Sequence, residues 1–154
     1  MRIQLFTALL LLTSSYALWR GGAPERIVGS GFLVANFATW ASYSPHGVRF
    51  SQVETSVLVV DLLLLSTLVA VALKADRGWT LVVAGLQLSA VGAHLVKAFA
   101  PDTLRVAYAV LIMVWAWPTQ LLLWVGTWRH VRRVSSMGTD RDWSLPRPPS
   151  ESTT

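Results

Sequence analysis

One stretch constrains this chain more than any other: Val53–Leu73, VETSVLVVDLLLLSTLVAVAL, an apolar run interrupted near its middle by Asp61. At ~1.5 Å per residue a helix of this length crosses the ~30 Å hydrocarbon core of a bilayer. An aspartate near the centre of a spanning helix costs about 2.5–3.5 kcal/mol on insertion scales. A chain that keeps such a residue is expected to supply groups that offset it.

Composition agrees with a membrane solvent. Hydrophobic residues make up 53% of the 154 positions and charged residues only 14%, too apolar for an ordinary soluble domain. The eight tryptophans fall mostly near the ends of apolar segments, where amphipathic rings suit a membrane–water interface. The net charge of +5 comes from residues in short connections and after the last apolar run. Those cations read as topology signals and headgroup contacts, not as a nucleic-acid surface. With no cysteine, disulfides, Fe–S clusters, thiol catalysis and thiolate zinc sites are excluded.

The sequence predicts an all-α integral membrane protein, a bundle of five transmembrane helices with short loops spanning 1–133, followed by a polar, flexible tail over 134–154. The predicted helices cover about 3–19, 27–43, 53–73, 79–99 and 103–128. The first ends at Arg20 and Gly21-Gly22-Ala23-Pro24; Arg2 and Ser15-Tyr16-Ala17 also fit a cleavable signal, but the apolar character runs on through Trp19, so it is read as a retained helix. The second is rich in Gly29, Ser30, Gly31, Asn36 and Thr39, and four spans remain if it does not cross. Its small residues, Gly29 among them, suit close helix contact in lipid. Pro118 lies inside the fifth segment and should kink it, freeing the carbonyl of Val114.

Lysines and arginines set the orientation. With five spans and the N-terminus outside, the cytoplasmic side holds Arg20, Arg26, Lys74, Arg77, Arg129, Arg132 and Arg133, and the outside Arg2, Arg49, Lys97 and Arg105. The larger cytoplasmic count places the C-terminus inside an inner- or plasma-type membrane. Arg129, Arg132 and Arg133 then read as a lipid-headgroup anchor, with His130 among them and His46 in a loop expected to be solvated.

This topology lets depths be compared. Asp61 and His94, on helices joined by a tight turn, come to similar depths in the outer half, with Asn36, Gln87 and Tyr108 near them. Glu54 and Lys97 belong higher, at the interface. The seven-residue spacings Glu54–Asp61 and Gln87–His94 put each pair on one helix face. The expected polar cluster is therefore Asp61, His94, Asn36, Gln87, Tyr108, Glu54 and Lys97. Gly85, Ser89 and Ala93, four apart, are expected to pack helix four against its neighbours.

No metal site is expected, because Asp61, Glu54 and His94 differ too much in depth. No nucleophile motif, phosphate loop or helical His-x-x-x-His occurs, so no catalytic residue is assigned and the cofactor is left unknown. Trp115-Ala-Trp117-Pro118 reads as packing beside a kink before it reads as a frame for a flat hydrophobic ligand. The leading expectation is a non-enzymatic accessory or scaffold subunit acting through helix packing, with the lipid bilayer, other membrane subunits or itself as partners. The alternative is a small oligomeric transporter or proton-coupled carrier using Asp61 and His94. An integral membrane enzyme acting on lipid comes third.

Overall fold

A computed structural model of the chain describes residues 2–41, 55–99 and 105–144, with side chains over 3–41, 55–96 and 115–144. Five helices follow one another: α1 Arg2–Arg20, α2 Ala23–Ala41, α3 Thr55–Lys74, α4 Gly78–Phe99 and α5 Arg105–Met137. Each packs on its chain neighbours, and α1 also meets α5, which closes a ring; α2 touches α5 as well. The fold is all-helical among the described residues, apart from one isolated bridge between Ala75 and Trp143.

The turns explain the helix ends. Gly21 donates its N–H to Ala17 O at 2.9 Å, closing α1. A Cβ on Gly21 would lie 2.6 Å from the Glu25 Cβ, so only glycine lets α2 start so close to α1. Pro24 then sits in the first turn of α2, where its missing N–H costs nothing. Helix two consequently begins four residues before the expected Ile27. At the far end α5 stops at Met137 because Gly138 adopts φ +76° and donates to Val134 O at 2.9 Å, an αL cap that side-chain-bearing residues disfavour.

The bundle buries polar side chains beside its apolar core and leaves many large apolar ones exposed. Thr13, Ser14, Glu25, Arg77, Thr80, Gln87, His94, Gln120, Thr127 and His130 are buried, while Leu12, Trp19, Val34, Phe37, Leu63 and Leu88 are exposed. A core of Val28, Phe32, Leu64, Leu68, Val71, Val83 and Leu123 fills the spaces between them. Inside, the Thr13 hydroxyl donates to Gln120 Oε1 at 2.8 Å, tying α1 to α5. Trp79 of α4 lies over Gly126 of α5, where a Cβ would come within 2.6 Å of the indole.

Among the described residues, two helices, Thr55–Lys74 and Gly78–Val96, are long and apolar enough to cross a membrane. The five-helix architecture thus agrees with expectation, and membrane-spanning length and composition extend to two of the five. The reason is visible in α2, whose small and polar residues dilute its apolar character, and which carries Glu25 and Arg26 at its start.

Three expectations need correction. The polar tail was expected to be flexible from 134, but α5 continues to Met137 and residues 138–144 fold back across the end of the bundle, where Ser144 donates N–H and Oγ–H to Lys74 O at 2.9 and 3.0 Å. Gly85 and Ser89 do not pack helix four into the bundle: both are exposed, a Cβ on Gly85 would meet nothing within 4 Å, and of the three small residues only Ala93 is buried. Helix five, expected to end at 128, runs on to Met137 with Pro118 inside it. Gly29 does sit at a close contact, its Cβ position 3.2 Å from the Ala17 methyl.

Candidate functional sites

The first site is centred on Asp61, roughly 20 Å along α3 from its Lys74 end at ~1.5 Å per residue. Its Oδ2 lies 2.9 Å from His94 Nε2, and its Oδ1 accepts from Gln87 Nε2 at 3.1 Å. Both partners come from α4, and the seven-residue spacing delivers them to one face, two turns apart. The side chains of His94 and Asp61 are 7% and 21% exposed. The carboxylate therefore meets two donors in a mostly dry setting while one edge stays open. Asn36 is half-buried on α2, and among the described residues no hydrogen bond joins it to this pair. Glu54 and the side chains of Lys97 and Tyr108 lie outside the described residues.

The second site was not foreseen. Arg77, in the α3–α4 turn, has a side chain only 1% exposed and reaches Asp140 at 2.8 Å, Asp142 at 3.0 Å and Glu25 at 3.3 Å. Asp140 also takes His130 Nδ1 at 2.7 Å and Arg133 Nε at 2.9 Å. Four elements converge here: the first turn of α2, the α3–α4 turn, the last turns of α5, and the segment after Gly138. Asp142 additionally accepts the Ala23 N–H at 3.2 Å, capping α2 and meeting its positive dipole end.

The acids of this cluster differ in character. Glu25 lies ahead of the apolar part of α2 and is 0% exposed. Desolvation raises its carboxyl above the ordinary value, and the charge of Arg77 opposes this only in part. Neither Glu25 oxygen has a hydrogen-bond partner, and the 3.3 Å contact to Arg77 Nε is an ion pair without an aligned bond. For Asp140, burial also raises the carboxyl, but hydrogen bonds from His130, Arg77 and Arg133 outweigh it and hold the group below its ordinary value.

His130 is therefore buried and paired instead of solvated, which corrects the expectation for it. Of the three anchor arginines, Arg133 is turned onto Asp140, while Arg129 is exposed and Arg132 lies 4.8 Å over the Trp128 ring. Trp117 meets Phe6 edge to face at 5.9 Å, so this tryptophan packs α5 on α1. The signal that pointed to the second site was present but faint. Glu25, Asp140 and Asp142 are acids in a chain with few, and all fall at turns or ends that the topology gathers on one side.

Comparison with known proteins finds no matching family model, no similar curated protein and no similar solved structure.

Proposed function

We propose that this chain is a small polytopic membrane protein, a five-span bundle with its N-terminus outside and its C-terminal segment in the cytoplasm. In this reading it serves as an accessory or scaffold subunit through helix packing. The observation that carries the reading is the spread of large apolar side chains over the outside, Leu12, Val34, Phe37, Leu63 and Leu88 among them, while Thr13, Arg77, Gln87, His94 and Gln120 are buried beside the apolar core. So many exposed large apolar side chains are a mark of a partner or a membrane. In lipid such a surface is solvated, and the buried polar groups then specify which helices touch.

The scaffold role is supported by the outward position of Gly85 and Ser89 on α4. Small residues on a lipid-facing helix surface let a second helix approach closely. The orientation is supported by the clustering of Arg20, Arg26, Lys74, Arg77 and Arg129–Arg133 at one end of the bundle. Blue-native electrophoresis of native membranes extracted in mild detergent tests the reading. An assembly larger than the monomer is expected, and Gly85→Leu should dissolve it. A monomer in every mild detergent sinks the scaffold role.

A second reading, a proton-coupled carrier, is favoured by one observation: Asp61 beside His94, with the acid's edge open. Asp61→Asn distinguishes the two. Assembly unchanged but a pH-dependent flux abolished favours the carrier, whereas no flux in either protein favours the scaffold.

A further inference from the structure

A groove of about 700 Å³ lies where the start of α2 meets the end of α3, within the range of roughly 300–1,000 Å³ that ligand sites occupy. Thr67, Ala70 and Val71 of α3 and Ile27 of α2 line its length, and Lys74 stands at its end. Thr67 and Lys74 are seven residues apart, so the groove follows α3 for ~10 Å. The segment after α5 supplies the remaining wall through Trp143 and Ser144. That wall is fixed in place: Ser144 donates its N–H and its hydroxyl to Lys74 O at 2.9 and 3.0 Å, and Trp143 bridges to Ala75. Behind it, Asp140 and Asp142 hold the segment onto Arg77 at 2.8 and 3.0 Å.

The two ends of the groove differ in chemistry. Along α3 the lining is apolar apart from Thr67, whose hydroxyl donates to Leu63 O at 2.9 Å. At the other end Lys74 is exposed, and among the described residues no carboxylate pairs with its ammonium. Arg26, next in sequence to Ile27, is exposed as well, and its Nε donates to the neutral Gly21 carbonyl at 2.9 Å. Thr67, Ala70 and Leu73 are exposed, so the groove opens away from the bundle, towards whatever surrounds α3. A trough with cations at one end fits an amphiphile with an anionic head.

We propose that this groove holds one anionic phospholipid, with its phosphate on Lys74 and Arg26 and one acyl chain along Thr67, Ala70 and Val71. The proposal rests on the membrane reading, in which α3 spans and its Lys74 end lies at the headgroups. Half of the ~30 Å hydrocarbon core is ~15 Å, so the groove takes roughly the upper two-thirds of one chain. Trp143 then sits where amphipathic rings favour the interface, and basic pockets between membrane helices on the cytoplasmic side suit anionic headgroups. A second copy docked here about a two-fold axis would bring its own Lys74 and Arg26 against these, cation to cation. The lipid instead neutralises both, and it joins α2, α3 and the segment after α5.

Native mass spectrometry of the full chain in mild detergent tests this, with phosphatidylglycerol and phosphatidylcholine of identical chains added in equal amounts. One phosphatidylglycerol retained per chain is expected, favoured over phosphatidylcholine about 5- to 25-fold, the effect of one or two interfacial cations. Lys74→Gln should lower that retention about 5-fold. Ala70→Trp fills the trough from an exposed position and should abolish it with helicity unchanged. Arg20→Gln, outside the groove, should leave it as in the parent. Equal retention of the two lipids, retention of neither, or an equal loss with Arg20→Gln overturns the proposal. Retention gained only when the chain is ended after Ser144 identifies residues 145–154 as the occupant, and a lipid-free dimer dissolved by Ala70→Trp identifies a second copy; either result overturns it. A chain that needs detergent yet retains no lipid removes this proposal alone, whereas a chain soluble without detergent removes the membrane reading itself.

Discussion

Replacing Arg77 with leucine is the sharpest test of how the end of the bundle is held. The guanidinium is 1% exposed and Glu25 is 0% exposed, so its loss strands a carboxylate in a dry site. Removing one partner of a buried pair costs about 3–5 kcal/mol, because the other charge is left uncompensated. The remaining contacts add little. Asp140 keeps Arg133 at 2.9 Å, and Asp142, with a side chain 31% exposed, is worth less than about 1 kcal/mol. For a chain of this size the loss corresponds to a fall in Tm of roughly 6–20 °C.

The deficit carries a pH signature. Glu25 has a folded pKa above its ordinary value of 4.5, so it binds its proton more tightly folded than unfolded. Its contribution to stability is fully present below 4.5 and is lost as pH rises through the folded value. Without Arg77 the folded value rises further, so the variant's deficit should widen as pH rises above the ordinary value of 4.5. Near-UV circular dichroism melts in EDTA-containing detergent read this directly. The double variant Glu25→Leu/Arg77→Leu should recover more than half of the loss, since apolar pairs often replace buried ion pairs without penalty. A single variant that melts within about 2 °C of the parent, or a double variant no better than the single, refutes the reasoning.

Other outcomes follow from specific contacts. Thr13→Val strands the Gln120 carbonyl that it serves at 2.8 Å, and should cost about 0.6 kcal/mol and at most about 1.7 kcal/mol in chemical denaturation, the mean and maximum for interhelical bonds of this kind. Gly126→Ala drives a methyl into the Trp79 ring and should cost about 1–3 kcal/mol, with a changed tryptophan near-UV signal; an unchanged spectrum and stability contradict the close packing. Asp140 has a lowered folded pKa relative to 3.8, so its stabilisation holds above 3.8 and disappears as pH falls through the folded value. Asp140→Asn should therefore remove part of the acid-unfolding transition, measured by pH titration of helicity.

The parts of the fold that sequence made legible are those governed by local composition. Helix number and order follow from apolar runs separated by Gly-Gly-Ala-Pro at 21–24 and by Lys74–Gly78. The meeting of Asp61 with His94 and Gln87 follows from a fixed rise per residue on two helices joined by a tight turn. What sequence concealed depends on direction and distance. Periodicity shows that Gly85, Ser89 and Ala93 share one side of α4, but in lipid both sides of a helix can be apolar, so it does not say which side faces inward. Arg77 meets Asp140 and Asp142 across separations of 63 and 65 residues, and no local pattern marks such pairs. The acids after Gly138 sit in a Ser-, Thr- and Arg-rich stretch whose composition resembles a solvated tail.

The closure of the Arg77 cluster has a consequence for biosynthesis. Asp142 caps the start of α2 from 119 positions away in the chain, so Ala23 and Glu25 are made long before their partners. During translation Glu25 and Arg77 have only each other until α5 and the residues after it emerge. Two segments far apart in sequence are thus joined by late-made acids, and a nascent chain cut short before Asp140 leaves Arg77 without two of its three carboxylate partners. This corner of the bundle can close only after residues 140–142 have been made.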